Sequence, residues 1–111
     1  MQKPGDLSST RHPANPCPGG GAQGIVCIDP TTLSATPDPV HVRSGKPVHF
    51  FVTGGRGQLQ ITFAVGAPVD QEGHDGAHAW AHAKTVTRPE KHKYTITLDG
   101  RQMDPDVMID P

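Results

Sequence analysis

The chain has 111 residues, 13 of them glycine and 12 proline, with 33% apolar residues and only five aromatic ones (Phe50, Phe51, Phe63, Trp80 and Tyr94). That leaves room for one small domain and excludes a large helical bundle. Lys plus Arg (10) nearly cancel Asp plus Glu (11), and a net charge of -1 supplies no basic field to hold a nucleic-acid backbone or an anionic membrane.

Residues 1–24 hold few apolar side chains (Met1, Leu7, Ala14, Cys17, Ala22) among prolines and glycines. Such a segment cannot offset an ordering entropy of roughly 1–2 kcal/mol per residue, so a flexible arm is predicted there. The folded body, residues 25–111, is predicted to start at the β-branched run Ile25-Val26-Cys27-Ile28, which ends in the turn-like pair Asp29-Pro30.

Short strands follow in order. Val40-His41-Val42 lies between Pro37-Asp38-Pro39 and Ser44-Gly45-Lys46-Pro47; Val48-His49-Phe50-Phe51-Val52 comes next and closes on Gly54-Gly55-Arg56-Gly57. In the second run Val48, Phe50 and Val52 share one face, with His49 and Phe51 on the other. Gln58 to Val65 alternates without a break and is expected to turn Leu59, Ile61, Phe63 and Val65 inward. His92 to Leu98 alternates as well, placing Tyr94, Ile96 and Leu98 inward before Asp99-Gly100 turns the chain, and Val107-Met108-Ile109 forms a last short run.

Residues 77–84 support two readings. As a strand they put every alanine on one face and His78, Trp80, His82 and Lys84 on the other. As a helix they align His74, His78 and His82 at i, i+4 and i+8. Alanine favours the helix, while Gly73 and Gly76 each cost it about 1 kcal/mol, and local pattern alone leaves both open. Five to seven short strands with no long helix nonetheless predict an all-β sandwich.

The stretch Pro39-Val40-His41-Val42-Arg43-Ser44-Gly45-Lys46-Pro47-Val48-His49-Phe50, followed by Tyr94-Thr95-Ile96-Thr97-Leu98 and Val107-Met108-Ile109, resembles the strand order of the cupredoxin-like family. The resemblance spans residues 25–111 and implies a Greek-key β-sandwich, with residues 77–86 in a strand. It does not imply the family's blue copper, which needs two histidines, a cysteine thiolate and usually an axial methionine. Leu98 stands where the cysteine would be, no histidine follows His92, and only Met103 remains of that ligand loop.

Two groups of residues are candidates for chemistry. Cys17 and Cys27 are the only cysteines, and the Pro-Gly-Gly-Gly stretch between them is flexible enough to let them meet. A bridge would tie the arm to the first strand and point to an oxidising compartment; the alternative is a buried Cys27 and an exposed, incidental Cys17. His74, His78 and His82, with Glu72 and Asp75 near, form the one metal-like cluster among seven histidines. On a helix such imidazoles could share a copper or zinc ion, whereas on a strand His78 and His82 stand about 13 Å apart. His41, His49 and His92 are isolated in separate strands and read as ordinary surface or pairing residues. Asp99, Asp104, Asp106 and Asp110 read as turn formers, and no nucleophile elbow, HExxH, Walker A or GxGxxG motif occurs.

These observations describe a non-catalytic binding or interaction module for a protein or small ligand, without nucleic acid, membrane span or resident cofactor. The resemblance and a cysteine bridge would place it in the periplasm or outside the cell. The alternative is a histidine-rich copper- or zinc-binding or metal-delivery protein.

Overall fold

Alternating apolar residues bounded by glycine and proline produce strands along the whole described chain. The computed structural model describes residues 15–17 and 24–111, apart from the side chains of residues 71 and 72. The arm read from residues 1–24 therefore lies outside the described residues, except for Asn15–Cys17 and Gly24. The described residues form ten strands: β1 (Ile25–Ile28), β2 (Ala35–Thr36), β3 (Val40–Arg43), β4 (Pro47–Val52), β5 (Leu59–Phe63), β6 (Val69–Asp75), β7 (His78–Ala83), β8 (Glu90–Leu98), β9 (Arg101–Met103) and β10 (Asp106–Asp110). No described residue is helical.

Two sheets pack as a sandwich. One runs β2-β1-β4-β7-β6; the other runs β3-β10-β8-β5, with β9 attached to β8. β1 pairs parallel with β4 and β10 parallel with β3, while the remaining ladders are antiparallel. The turn at Ser44–Lys46, closed by Lys46 N–H donating to the Arg43 carbonyl at 3.0 Å, carries the chain from β3 in one sheet to β4 in the other. The pair Asp99-Gly100, with φ of 51° and 85°, reverses β8 into β9 in the left-handed conformation that two-residue hairpin turns require.

Between the sheets lie Val26 and Ile28, Val40 and Val42, Val48, Phe50 and Val52, Leu59 and Ile61, Tyr94, Ile96 and Leu98, and Val107 and Ile109. Each set is the apolar half of an alternating strand. The small Ala79, Ala81 and Ala83 of β7 are buried as well. Phe50, Phe63 and Tyr94 form a tilted trio at the centre, with centroid separations of 5.2 to 6.2 Å. The Tyr94 hydroxyl is buried and finds no hydrogen-bond partner among the described residues. Its burial, reinforced by the carboxylates of Asp38 and Asp106, holds the phenol far above its ordinary pKa, so it stays neutral.

Two expectations need correction. Val65 does not face inward: β5 ends at Phe63, the chain turns with Ala67 N–H donating to the Ala64 carbonyl, and Val65 is fully exposed. Asp106 and Asp110 are not turn residues but lie within β10, where they face Lys93 at 3.2 Å and His41 at 3.1 Å. The open choice at 77–84 resolves as the strand β7, the reading that the resemblance implied, paired to the edge strand β6, which the alternation pattern did not mark.

Candidate functional site

Registers across β1, β4, β7 and β6 fix what the outer face of their sheet displays. Residues directly opposite one another in a ladder project to the same side. Cys27, Phe51, His78 and Asp75 form one row, Ile25, His49, Trp80 and Gly73 the next, and Pro47, His82 and Asp70 a third. The buried alternate positions Val48, Phe50 and Val52 on β4, and Ala79, Ala81 and Ala83 on β7, point the other way into the core.

Four rings on this face form one cluster. His78 lies parallel to Phe51, with centroids 4.4 Å apart and planes at 6°. His49 stands 5.2 Å from His78 and 6.2 Å from Phe51, again nearly parallel. Trp80 leans on His78 at 4.9 Å and 42°. Its indole has room because Gly73, opposite it on β6, has no side chain: a Cβ there would come within 3.0 Å of the indole Cζ2. His49 Nδ1 and His78 Nε2 are 3.0 Å apart, so one ring donates its N–H to the lone pair of the other. His49, His78 and Trp80 are half-buried, whereas Phe51 is closed over.

The segment joined to β1 by the disulfide lies against the backbone of β4. Cys17 and Cys27 are bonded, with Cα atoms 5.6 Å apart. Cys17 Sγ lies 3.9 Å from the Phe51 carbonyl oxygen, and the Asn15 side-chain amide donates to the Val52 carbonyl at 3.0 Å. Asn15–Cys17 is thereby laid against β4 beside the ring cluster.

The three histidines aligned by the helical reading are not brought together. His74 pairs with Ala79 in the ladder and so points to the opposite side of the sheet from His78. His78 and His82 share a face but stand four strand positions apart, about 13 Å. His82 Nε2 donates to the Gly45 carbonyl at 2.6 Å. The structure places His49 beside His78 instead, a pair the sequence reading treated as unrelated. Strand alternation marks both as outward-facing, but only the register that sets Phe51 against His78 makes them neighbours.

The other described histidines are tied to oxygen acceptors. His41 Nδ1 donates to Asp110 at 3.1 Å and His92 Nε2 to Glu90 at 3.0 Å. His12 lies outside the described residues. At the positions suggested by the cupredoxin resemblance, Leu98 is a core residue and Met103 an exposed residue of β9. Both cysteines are consumed in the disulfide. Among the described residues no three His, Cys, Asp or Glu side chains gather as a metal cage, and no helix is long and apolar enough to cross a membrane.

No protein-family model matches the chain, and no curated protein matches it.

Proposed function

We propose that the chain is a non-catalytic binding module on a cupredoxin-like Greek-key scaffold without a blue-copper site, working in the periplasm or outside the cell. The observation that carries the reading is the cluster of Phe51, His78, His49 and Trp80 on the outside of a sheet whose inner face already supplies the core. Aromatic side chains with polar edges, held rigid on strands, give large contact area at little ordering cost, and such residues dominate binding interfaces. The partner is a protein or small ligand that covers the exposed edges of Trp80, His78 and His49. The Cys17–Cys27 bridge supports the oxidising compartment, since such bonds persist outside the cytosol. The passage of the chain between sheets from β3 to β4, and the strand order through β8 and β10, support the scaffold.

Trp80 is the only tryptophan, so its emission reports directly on this face. Screening the labelled protein against ligands by fluorescence and amide chemical-shift mapping should give binders that perturb Trp80, His49 and His78, and Trp80→Ala should weaken them tenfold or more, about 1.4 kcal/mol. Binders that map to the opposite sheet and leave Trp80 emission unchanged would refute the assignment.

A further inference from the structure

We propose that the free edge of β3 is a second interaction surface, which takes an extended acidic peptide segment as an added strand. It goes beyond the binding-module reading, because it lies on the other sheet and uses none of the four clustered rings.

Among the described residues β3 ends its sheet, with β10 on one side and no strand on the other. In the parallel ladder Met108 faces His41 and Asp110 faces Arg43. Ser44 N–H donates to the Asp110 carbonyl at 2.7 Å, so the backbone groups of Ser44, and by strand alternation those of Val42 and Val40, are turned to β10. His41 and Arg43 therefore turn their N–H and C=O groups to the open side. The Arg43 carbonyl accepts from Lys46 N–H in the turn at 3.0 Å. Left along the edge are two donors, His41 N–H and Arg43 N–H, and one acceptor, the His41 carbonyl, none with a backbone partner among the described residues. The donors stand two residues apart, about 6.6 Å. That spacing matches every second carbonyl of an extended chain, and main-chain bonds of this kind hold an added strand.

Charge selects which strand fits. Arg43 and Lys46 flank the edge, both exposed and neither in an ion pair among the described residues. The carboxylate opposite Arg43 in the ladder, Asp110, is engaged by His41 at 3.1 Å. Arg43, Lys46 and His41 also line a surface cleft of about 210 Å³, which Gly24, Val42 and Pro47 complete. It is smaller than the roughly 300–1,000 Å³ of pockets that enclose a small molecule, so it borders one side of a ligand instead of surrounding it. A strand of four residues ending in Arg43 guards against indiscriminate pairing, and it admits an acidic chain over a neutral or basic one. Two copies of this edge would set like charges against each other, which disfavours a second copy as the occupant.

The test is titration of the isotopically labelled full chain with a peptide of about eight residues alternating glutamate and threonine, and with the matching lysine and threonine peptide, read by amide shifts and amide hydrogen exchange. The glutamate peptide should bind saturably, shift the amides of residues 40–46 and slow exchange at His41 and Arg43 about tenfold or more. The lysine peptide should do neither. Arg43→Glu and Lys46→Glu should each weaken binding tenfold or more. Trp80→Ala should leave it unchanged, and Arg43→Glu should leave unchanged any ligand bound at Trp80, so that the two surfaces fail separately. Should Arg43→Glu unfold, Arg43→Gln replaces it, and exchange in the unmodified protein decides independently. Amide shifts without slower exchange at His41 and Arg43 would reduce the contact to side-chain ion pairing and overturn the proposal. Equal binding of the two peptides would overturn it as well, as would protection of the same amides that grows with protein concentration alone, the mark of pairing between copies.

Discussion

Trp80 lies across Gly73, and the bare glycine backbone opposite it is what lets the indole rest on the sheet: a Cβ at residue 73 would sit 3.0 Å from Cζ2. Glycine within a strand ordinarily costs roughly 0.5–1 kcal/mol relative to alanine, so Gly73→Ala would be expected to stabilise an ordinary position. Here the added methyl must push the indole away from its place beside His78. We predict that Gly73→Ala fails to stabilise the protein and costs it about 1 kcal/mol, with a shift in the emission of the single tryptophan. A stabilised variant with unchanged emission would show that the indole moves aside freely.

Tyr94 gives a prediction of the opposite sign. Its ring contributes to the central aromatic trio, but its hydroxyl is buried without a partner. Removing an unsatisfied buried group while keeping the shape is neutral or favourable, so Tyr94→Phe should leave denaturant stability unchanged or raise it by up to about 1 kcal/mol. The same residue sets an alkaline limit. Burial first, then Asp38 and Asp106, raise the folded phenol above its ordinary 10.0. The unfolded chain thus loses this proton near pH 10 while the folded chain keeps it, so the unfolded state binds fewer protons and stability falls as pH rises further. The slope approaches about 1.4 kcal/mol per pH unit for one group and should flatten by that amount in Tyr94→Phe. As the chain has one tyrosine, phenolate absorbance should appear only on unfolding.

These two residues also show what was legible in advance. Alternation alone placed Val48, Phe50 and Val52, Leu59 and Ile61, and Tyr94, Ile96 and Leu98 inside, and all of them are core. It failed at Val65 because periodicity does not mark where a strand stops; the turn at Ala64–Ala67 ends β5 first. β6 was invisible because an edge strand carrying Asp70, Gly73, His74 and Asp75 has no buried stripe to betray it. The ring cluster was legible only in halves. Outward positions of β4 and β7 follow from local pattern, but their contact follows from register, which depends on how distant strands pair. Gly73, read as a cost to a helix, acts instead as the seat of the tryptophan.

The Cys17–Cys27 bond closes a short loop whose ends are 10 positions apart in sequence, and holds Asn15–Cys17 against β4. Loop-closure entropy for this length corresponds to about 2–3 kcal/mol. Cys17→Ser with Cys27→Ser should lower unfolding free energy by that order and expose Phe51, now 3% accessible. Denaturant titration of oxidised and reduced protein, with an apolar dye as a second readout, measures both effects. Equal stability of the two forms, with no gain in dye binding, would show that the bridge neither restrains the unfolded chain nor helps to cover the ring.

Copper supplies the last prediction, because colour distinguishes thiolate from imidazole ligation. An intense blue charge-transfer band requires a cysteine thiolate on copper(II). Both cysteines are spent in the disulfide, and Leu98, at the position suggested by the cupredoxin resemblance, is a core side chain with no donor atom. Oxidised protein loaded with copper(II) should therefore show only the weak absorption of nitrogen and oxygen ligation, at every copper-to-protein ratio. Cys17→Ser with Cys27→Ser should give the same spectrum, since histidine ligation does not involve either sulfur. An intense band would mean that part of the protein carries Cys17 and Cys27 as reduced thiols, and its loss in the double variant would assign the thiolate to that pair.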